Sequence, residues 1–212
     1  MRDTDELIDQ LTADLKPRPR MSPWSGRALL AVTAMLTVAI LIWRFGMRPD
    51  FRDGHPHSIA LLCALVMLSL CITFVTATTG MARPAVGSSR GGWQWALAPF
   101  AVLPVAAAVT AASDSSEFAR MLPPEGPPCL IVGTLASIAS IALLTIWLRR
   151  GAPTSAARAS WLIGIAGGAV GAVGMAFVCP IDAITHIGTW HVGIVLAAAL
   201  GSRLTLPYLL RW

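Results

Sequence analysis

Cys179-Pro180-Ile181-Asp182, followed by His186 and Trp190-His191, gathers a thiol, a carboxylate and two imidazoles into a short stretch of an otherwise apolar sequence. Sulfur, nitrogen and oxygen donors of these kinds are what zinc or copper accepts, and a thiol in such company is also open to oxidation. The same stretch reads equally as the start of a helix: proline suits the first helical position, and an acid in the first turn complements the positive helix end. A second thiol has a similar setting, because Pro127-Pro128-Cys129 opens one apolar run as Cys179-Pro180 opens another. At helix N-termini both thiols would be shifted toward thiolate, and so toward oxidation and soft metal ions. Two outcomes stay open. Cys129 and Cys179 could form a disulfide if their Cα atoms come within about 7 Å, or they could bind metal together with Asp182, His186 and His191, with His55 or His57 as further donors. On a helix, Asp182 and His186 are one turn apart and could share an ion, whereas His191 lies about 140° round from His186, so the two imidazoles are not expected to chelate together. Cys63 and Cys71 fall inside an apolar run and read most simply as packing residues, with Cys63 near enough to the outer end that it could approach the other thiols.

These groups need a framework, and composition says which kind. Of 212 residues, 55% are hydrophobic and only 13% charged, with a mean hydropathy of +0.67. That lies outside the range of soluble domains and inside that of polytopic membrane proteins. Six apolar runs, at about 25–43, 58–79, 93–112, 128–148, 161–178 and from near 183 to between 201 and 210, each approach the roughly 20 residues a helix needs to cross a hydrocarbon core. The sequence therefore predicts an all-α fold of six transmembrane helices in a lipid bilayer, with the last starting near Asp182. Gly164, Gly167, Gly168, Gly171 and Gly174 give the fifth span small residues at helix-packing spacing; a phosphate loop would need a Lys-Ser/Thr that is absent.

Basic residues orient the spans. Arg44, Arg48, Arg52 and Arg120 lie in connections on one side, and the other twelve of the 16 Lys and Arg residues lie on the opposite side with both termini. The positive-inside rule then places both termini in the cytoplasm and the connections 44–57, 113–127 and 179–186 outside. Asp50 and Asp53 among Arg44, Arg48 and Arg52 read as a solvated outer network, and Asp114, Glu117 and Glu125 as a solvated connection. The net charge of +5 is spread over these short clusters, so direct nucleic-acid binding is not expected.

Ahead of the spans, residues 3–15 place Leu7, Ile8, Leu11 and Leu15 within about a 100° arc of a helical wheel, with Asp5, Glu6, Asp9 and Asp14 outside it. Lys16-Pro17-Arg18-Pro19-Arg20 ends that helix in a basic, extended segment. Surface-seeking helices are normally rich in Lys and Arg, so an acidic one is better suited to a groove on a protein partner than to anionic lipid. The chain thus divides into a partner-binding segment and basic linker at 1–24 and a six-helix unit at 25–212. An enzyme is not expected: there is no paired intramembrane carboxylate, serine–histidine arrangement, H-E-x-x-H or C-x-x-C. A small metal or solute transporter is the competing reading, against which stands the near absence of ionisable residues in the middles of the spans.

In order and spacing, the stretch Asp-Glu-Leu-Ile-Asp-Gln-Leu-Thr-Ala-Asp-Leu (5–15), Met-Arg-Pro-Asp (47–50), Pro-Cys (128–129), Arg-Arg-Gly-Ala-Pro (149–153), Cys-Pro-Ile-Asp (179–182) and Trp-His (190–191) resemble the NrsF family of bacterial inner-membrane anti-sigma factors. The resemblance implies that the chain sequesters an extracytoplasmic-function sigma factor and releases it under heavy-metal or oxidative stress. It implies that Cys129 and Cys179, which match the family's two periplasmic cysteines, are tied to the response, and that the cytoplasmic N-terminal segment holds the sigma factor. It does not assign His186 as a ligand.

Overall fold

A computed structural model describes residues 2–13, 21–82, 92–121, 124, 126–151 and 153–210, and these contain helices and no strand. The helices are α1 (Arg2–Ala13), α2 (Pro23–Phe45), α3 (Pro49–Arg52), α4 (Ser58–Gly80), α5 (Leu97–Ser113, entered through a 3-10 turn at Trp93–Ala96), α6 (Ser115–Met121), α7 (Gly126–Leu148), α8 (Ala156–Val178), the short α9 (Ile184–His186) and α10 (Val192–Leu209). A single π-turn, Ile187–His191, joins α9 to α10. Six of these stretches are long and apolar enough to cross a membrane, running from 21 residues at Trp93–Ser113 to 26 at Ile184–Leu209. They match the six runs read from the sequence; the fifth begins earlier than expected, at Ala156.

α8 is the axis of the bundle. It packs against α2, α4, α7 and α10 and is mostly buried, whereas α2 and α5 turn rows of Val, Met, Leu and Ile outward. Apolar surface on that scale suits the outer face of a membrane protein. Contact this close is possible because α8 is lined with small residues. A Cβ on Gly164 would stand 2.7 Å from the Ala198 carbonyl oxygen of α10, and one on Gly168 would stand 2.9 Å from the Val195 Cα. On another side, Gly171 lies against the Gly133 backbone of α7, and Gly174 against the tip of Leu41 on α2. This difference is testable. Gly171→Ala drives a methyl into backbone and should cost about 1–3 kcal/mol, while Leu41 can rotate away from Gly174→Ala. Thermal unfolding in detergent should therefore fall clearly for the first variant and little for the second.

Connectivity puts the end of α2, the start of α4, the end of α5, the start of α7 and residues 179–183 at one end of the bundle, and the end of α4, the start of α5, the end of α7 and the start of α8 at the other. The second end is tied by Trp147 Nε1 donating to Ser25 Oγ (3.0 Å) and Arg27 Nε to Thr79 Oγ1 (3.4 Å). α1 exposes its described apolar face: Leu7 and Ile8 are about half exposed and Leu11 is 67% exposed, and Asp5, Glu6 and Asp9 are exposed too. Leu15 and Asp14, also expected on this helix, lie outside the described residues.

Candidate functional site

The thiols meet at the first end of the bundle. α7 starts at Gly126-Pro127-Pro128, where prolines are tolerated because the first helical N–H groups have no partner within the helix, and it presents Cys129 from its first turn. Gly126 fits there because the Trp190 indole lies over it. Cys179 arrives from the opposite direction as the cap that ends α8, its backbone N–H bonded to the Met175 carbonyl at 2.8 Å. The two Sγ atoms are 3.6 Å apart, and no disulfide joins them. Cys129 is half-buried; Cys179 is buried.

Cys179 was expected at a helix N-terminus, and here the structure corrects the sequence reading. Residues 179–183 form no helix, and the last span starts at Ile184. The helix end beside Cys179 is therefore the negative one, which does not favour a thiolate. Its neighbours do. The hydrogen bond from Cys129 outweighs the opposing effect of burial, and bonds with His186 and His191 add to it, so the Cys179 thiol is held well below its ordinary pKa.

The π-turn overturns a second expectation. Its i→i−5 bond, from the Val192 N–H to the Ile187 carbonyl, makes residues five apart nearly one turn apart. His186 and His191 consequently stand together, ring centroids 5.8 Å apart and edge to face, instead of pointing apart as on a regular helix. His186 Nε2 is 3.5 Å from the Cys179 sulfur, and His191 Nδ1 is 3.8 Å from the sulfur of Cys63 on α4. Both imidazoles are buried, and among the described residues His186 Nδ1 and His191 Nε2 have no hydrogen-bond partner. Gly188 permits this turn, since a Cβ there would meet α5 at Leu103 and Ala107. Cys63 was read as a packing residue, yet it belongs to the cluster. Its place five residues into a span whose outer end neighbours the other thiols was the signal. Cys71 stays in the apolar core.

Asp182 does not join the thiols. Arg48, read from sequence as part of a solvated network, is only 5% exposed; it pairs with Asp182, donates from Nε to Asp50 Oδ1 at 2.6 Å and from Nη1 to the Cys179 carbonyl at 3.0 Å. Its backbone N–H bonds the Phe177 carbonyl at 3.1 Å, and Phe51 packs against both Arg48 and Phe177. A buried guanidinium needs such partners to remain charged. Burial works against that charge, but the bonds to Asp182 and Asp50 prevail and hold the Arg48 pKa above its usual value. The rest of the expected network, Arg52 with Asp53, is exposed. From the third connection, Glu117 accepts a bond from Thr185 at 3.0 Å and so ties α6 to α9. His55 and His57 are exposed and, among the described residues, lie outside the thiol–imidazole group.

Arg48 thus clamps the segment that carries Cys179. Removing both carboxylates by Asp50→Asn with Asp182→Asn strands a buried charge and should cost about 3 kcal/mol, toward the low end for buried pairs because both acids keep some water. Arg48→Met should cost less, since the acids it leaves can hydrate; chemical denaturation of the two variants checks the order. Burial raises the Asp50 pKa, but bonds from the His57 N–H and Arg48 more than offset it, and the net shift is downward. Its stabilisation is therefore complete above the unfolded aspartate value and is lost as pH falls through the lower folded one.

A family model named NrsF and described as negative regulator of sigma F matches residues 11–212. That match takes in the whole bundle and the described cluster, and it begins within α1, at Leu11. No curated protein and no solved structure matches the chain.

Proposed function

Because this chain belongs to the NrsF family, we propose that it holds an extracytoplasmic-function sigma factor inactive at the bacterial inner membrane, with both termini cytoplasmic, and releases it when Cys129 and Cys179 are oxidised or bind a thiophilic metal. Family membership makes the chain a negative regulator of a sigma factor, and six apolar helices make it a membrane protein. The family is one of regulators, not of enzymes. The observation that carries the sensing half is the 3.6 Å separation of two thiols from different spans.

In the redox branch the Cys179 thiolate and the Cys129 thiol form one S–S bond. The oxidant, a peroxide or hypochlorous acid, takes up two electrons as its O–O or O–Cl bond breaks, and the Cys129 proton leaves in the water formed, with hydroxide or chloride as the other product. The sulfurs must close to about 2.05 Å. Such closure draws the C-terminal cap of α8 toward the first turn of α7. α8 also packs on α2, and α2 follows the segment 1–24 that is proposed to carry the partner. Release then requires two packings of α8 whose balance the thiol pair biases.

Leu7, Ile8, Leu11 and Leu15 would seat in an apolar groove on the sigma factor, while Asp5, Glu6, Asp9 and Asp14 face basic surface that otherwise meets DNA phosphates. Affinity capture of the intact chain from reduced membranes, followed by mass spectrometry, tests the reading. A sigma factor should co-purify; its consistent absence from an otherwise intact preparation would overturn the proposal.

A further inference from the structure

Resting on the thiol-pair reading above, the geometry points to a three-donor metal site: we propose that Cys129, Cys179 and His186 together bind one soft d10 cation of the copper(I) class. The two sulfurs and an imidazole nitrogen all lie within 4.8 Å of one another, with Sγ to Sγ at 3.6 Å and Cys179 Sγ to His186 Nε2 at 3.5 Å. A cation at the centre of a trigonal set, with metal–sulfur bonds of about 2.3 Å and a metal–nitrogen bond of about 2.0 Å, separates its ligands by about 3.7–4.0 Å. The two separations made by the Cys179 sulfur already stand within a few tenths of an ångström of that spacing, and the third pair lies within 4.8 Å.

The donor set also selects the ion. Hard cations require oxygen ligands, and the carboxylate nearest in sequence, Asp182, is held by Arg48. Zinc in closed sites is almost always four-coordinate, but among the described residues the group contains three donors. Both sulfurs would bind as thiolates, giving up their protons on binding, and thiolates select soft ions. Cys179 and His186 are buried while Cys129 is half-buried, so entry is past Cys129. His191 packs edge to face on His186, and its Nδ1 faces Cys63.

The test uses the full chain, reduced, in lipid nanodiscs, titrated with Cu(I) held by a colorimetric chelator. One Cu(I) per chain is expected. Cys129→Ser, Cys179→Ser and His186→Gln should each weaken binding by at least about tenfold, since even supporting residues of metal sites cost that much. Cys71→Ser and His57→Ala should bind as the unaltered chain does. X-ray absorption of the unaltered chain, which depends on no variant folding, should show two sulfur neighbours and one nitrogen. No Cu(I) uptake, a sulfur-only shell, or unchanged affinity in a folded His186→Gln chain would overturn the site. A chain that captures its sigma factor and forms the Cys129–Cys179 disulfide yet takes up no Cu(I) would overturn the metal site alone; failure to capture a sigma factor would instead sink the underlying reading.

Discussion

Leu7→Asp with Leu11→Asp should abolish capture of the sigma factor while leaving the helical bundle in the membrane. Both side chains are more than half exposed on α1, so neither contributes appreciably to the stability of the bundle. A leucine buried in a groove is worth about 1.5–3 kcal/mol. Losing two such anchors removes about 4 kcal/mol, or roughly a thousandfold in Kd. Two carboxylates forced into an apolar groove without partners add to that loss. Capture from reduced membranes, with the amount of membrane-inserted chain measured alongside, checks the result. Asp5→Asn with Asp9→Asn should act differently, slowing association and reducing its salt dependence more than it changes dissociation, because exposed charges steer encounter. If the double aspartate variant still captured the partner at the level of the unaltered chain, the anchor face would be wrong.

The second large effect is expected at the thiol pair. Cys129→Ser with Cys179→Ser should leave capture intact and abolish release by oxidant, because serine hydroxyls at the same positions cannot form an S–S bond. Each single substitution should be as unresponsive to oxidant as the double, since the bond needs both atoms. Cys63→Ser and Cys71→Ser should retain release. Cys63 lies beside His191 and is fully buried, and Cys71 lies in the apolar core, so neither is presented to an oxidant as Cys129 is. Release of the captured sigma factor from membranes treated with a peroxide, followed by thiol alkylation to count the sulfurs consumed, measures both points. Normal release from the double serine chain would remove Cys129 and Cys179 from the mechanism.

Arg48 shows how a site can be hidden from a sequence reading. An arginine with two nearby aspartates in a polar connection has the composition of a solvated loop, and only long-range contact with the Cys179 carbonyl and with Asp182, across more than a hundred residues, takes it out of water. Cys63 is similar. Its own span explains it completely as a packing residue, and its second role depends on where the π-turn delivers His191. The histidine pair went astray for a local reason, because the angle between residues five apart follows from the helix type. Regular helix geometry gives about 140°, while a turn with i→i+5 bonds brings the same two residues to one side.

By itself, the sequence determined the parts of this protein that follow from transfer free energy and local geometry. Six runs of about 20 apolar residues have no stable place but a bilayer, a stripe of small residues must be a packing face, and four apolar positions spaced three or four apart make an amphipathic helix wherever it lies. The tertiary structure decided which groups meet. Cys129 and Cys179 lie fifty residues apart in sequence and 3.6 Å apart in space because two spans run in opposite directions against each other. Cys179 became the end of one helix rather than the start of the next, Asp182 went to Arg48 rather than to a metal, and His191 turned back toward His186. Each outcome is a competition among partners from different spans, and no single span contains the information that settles it.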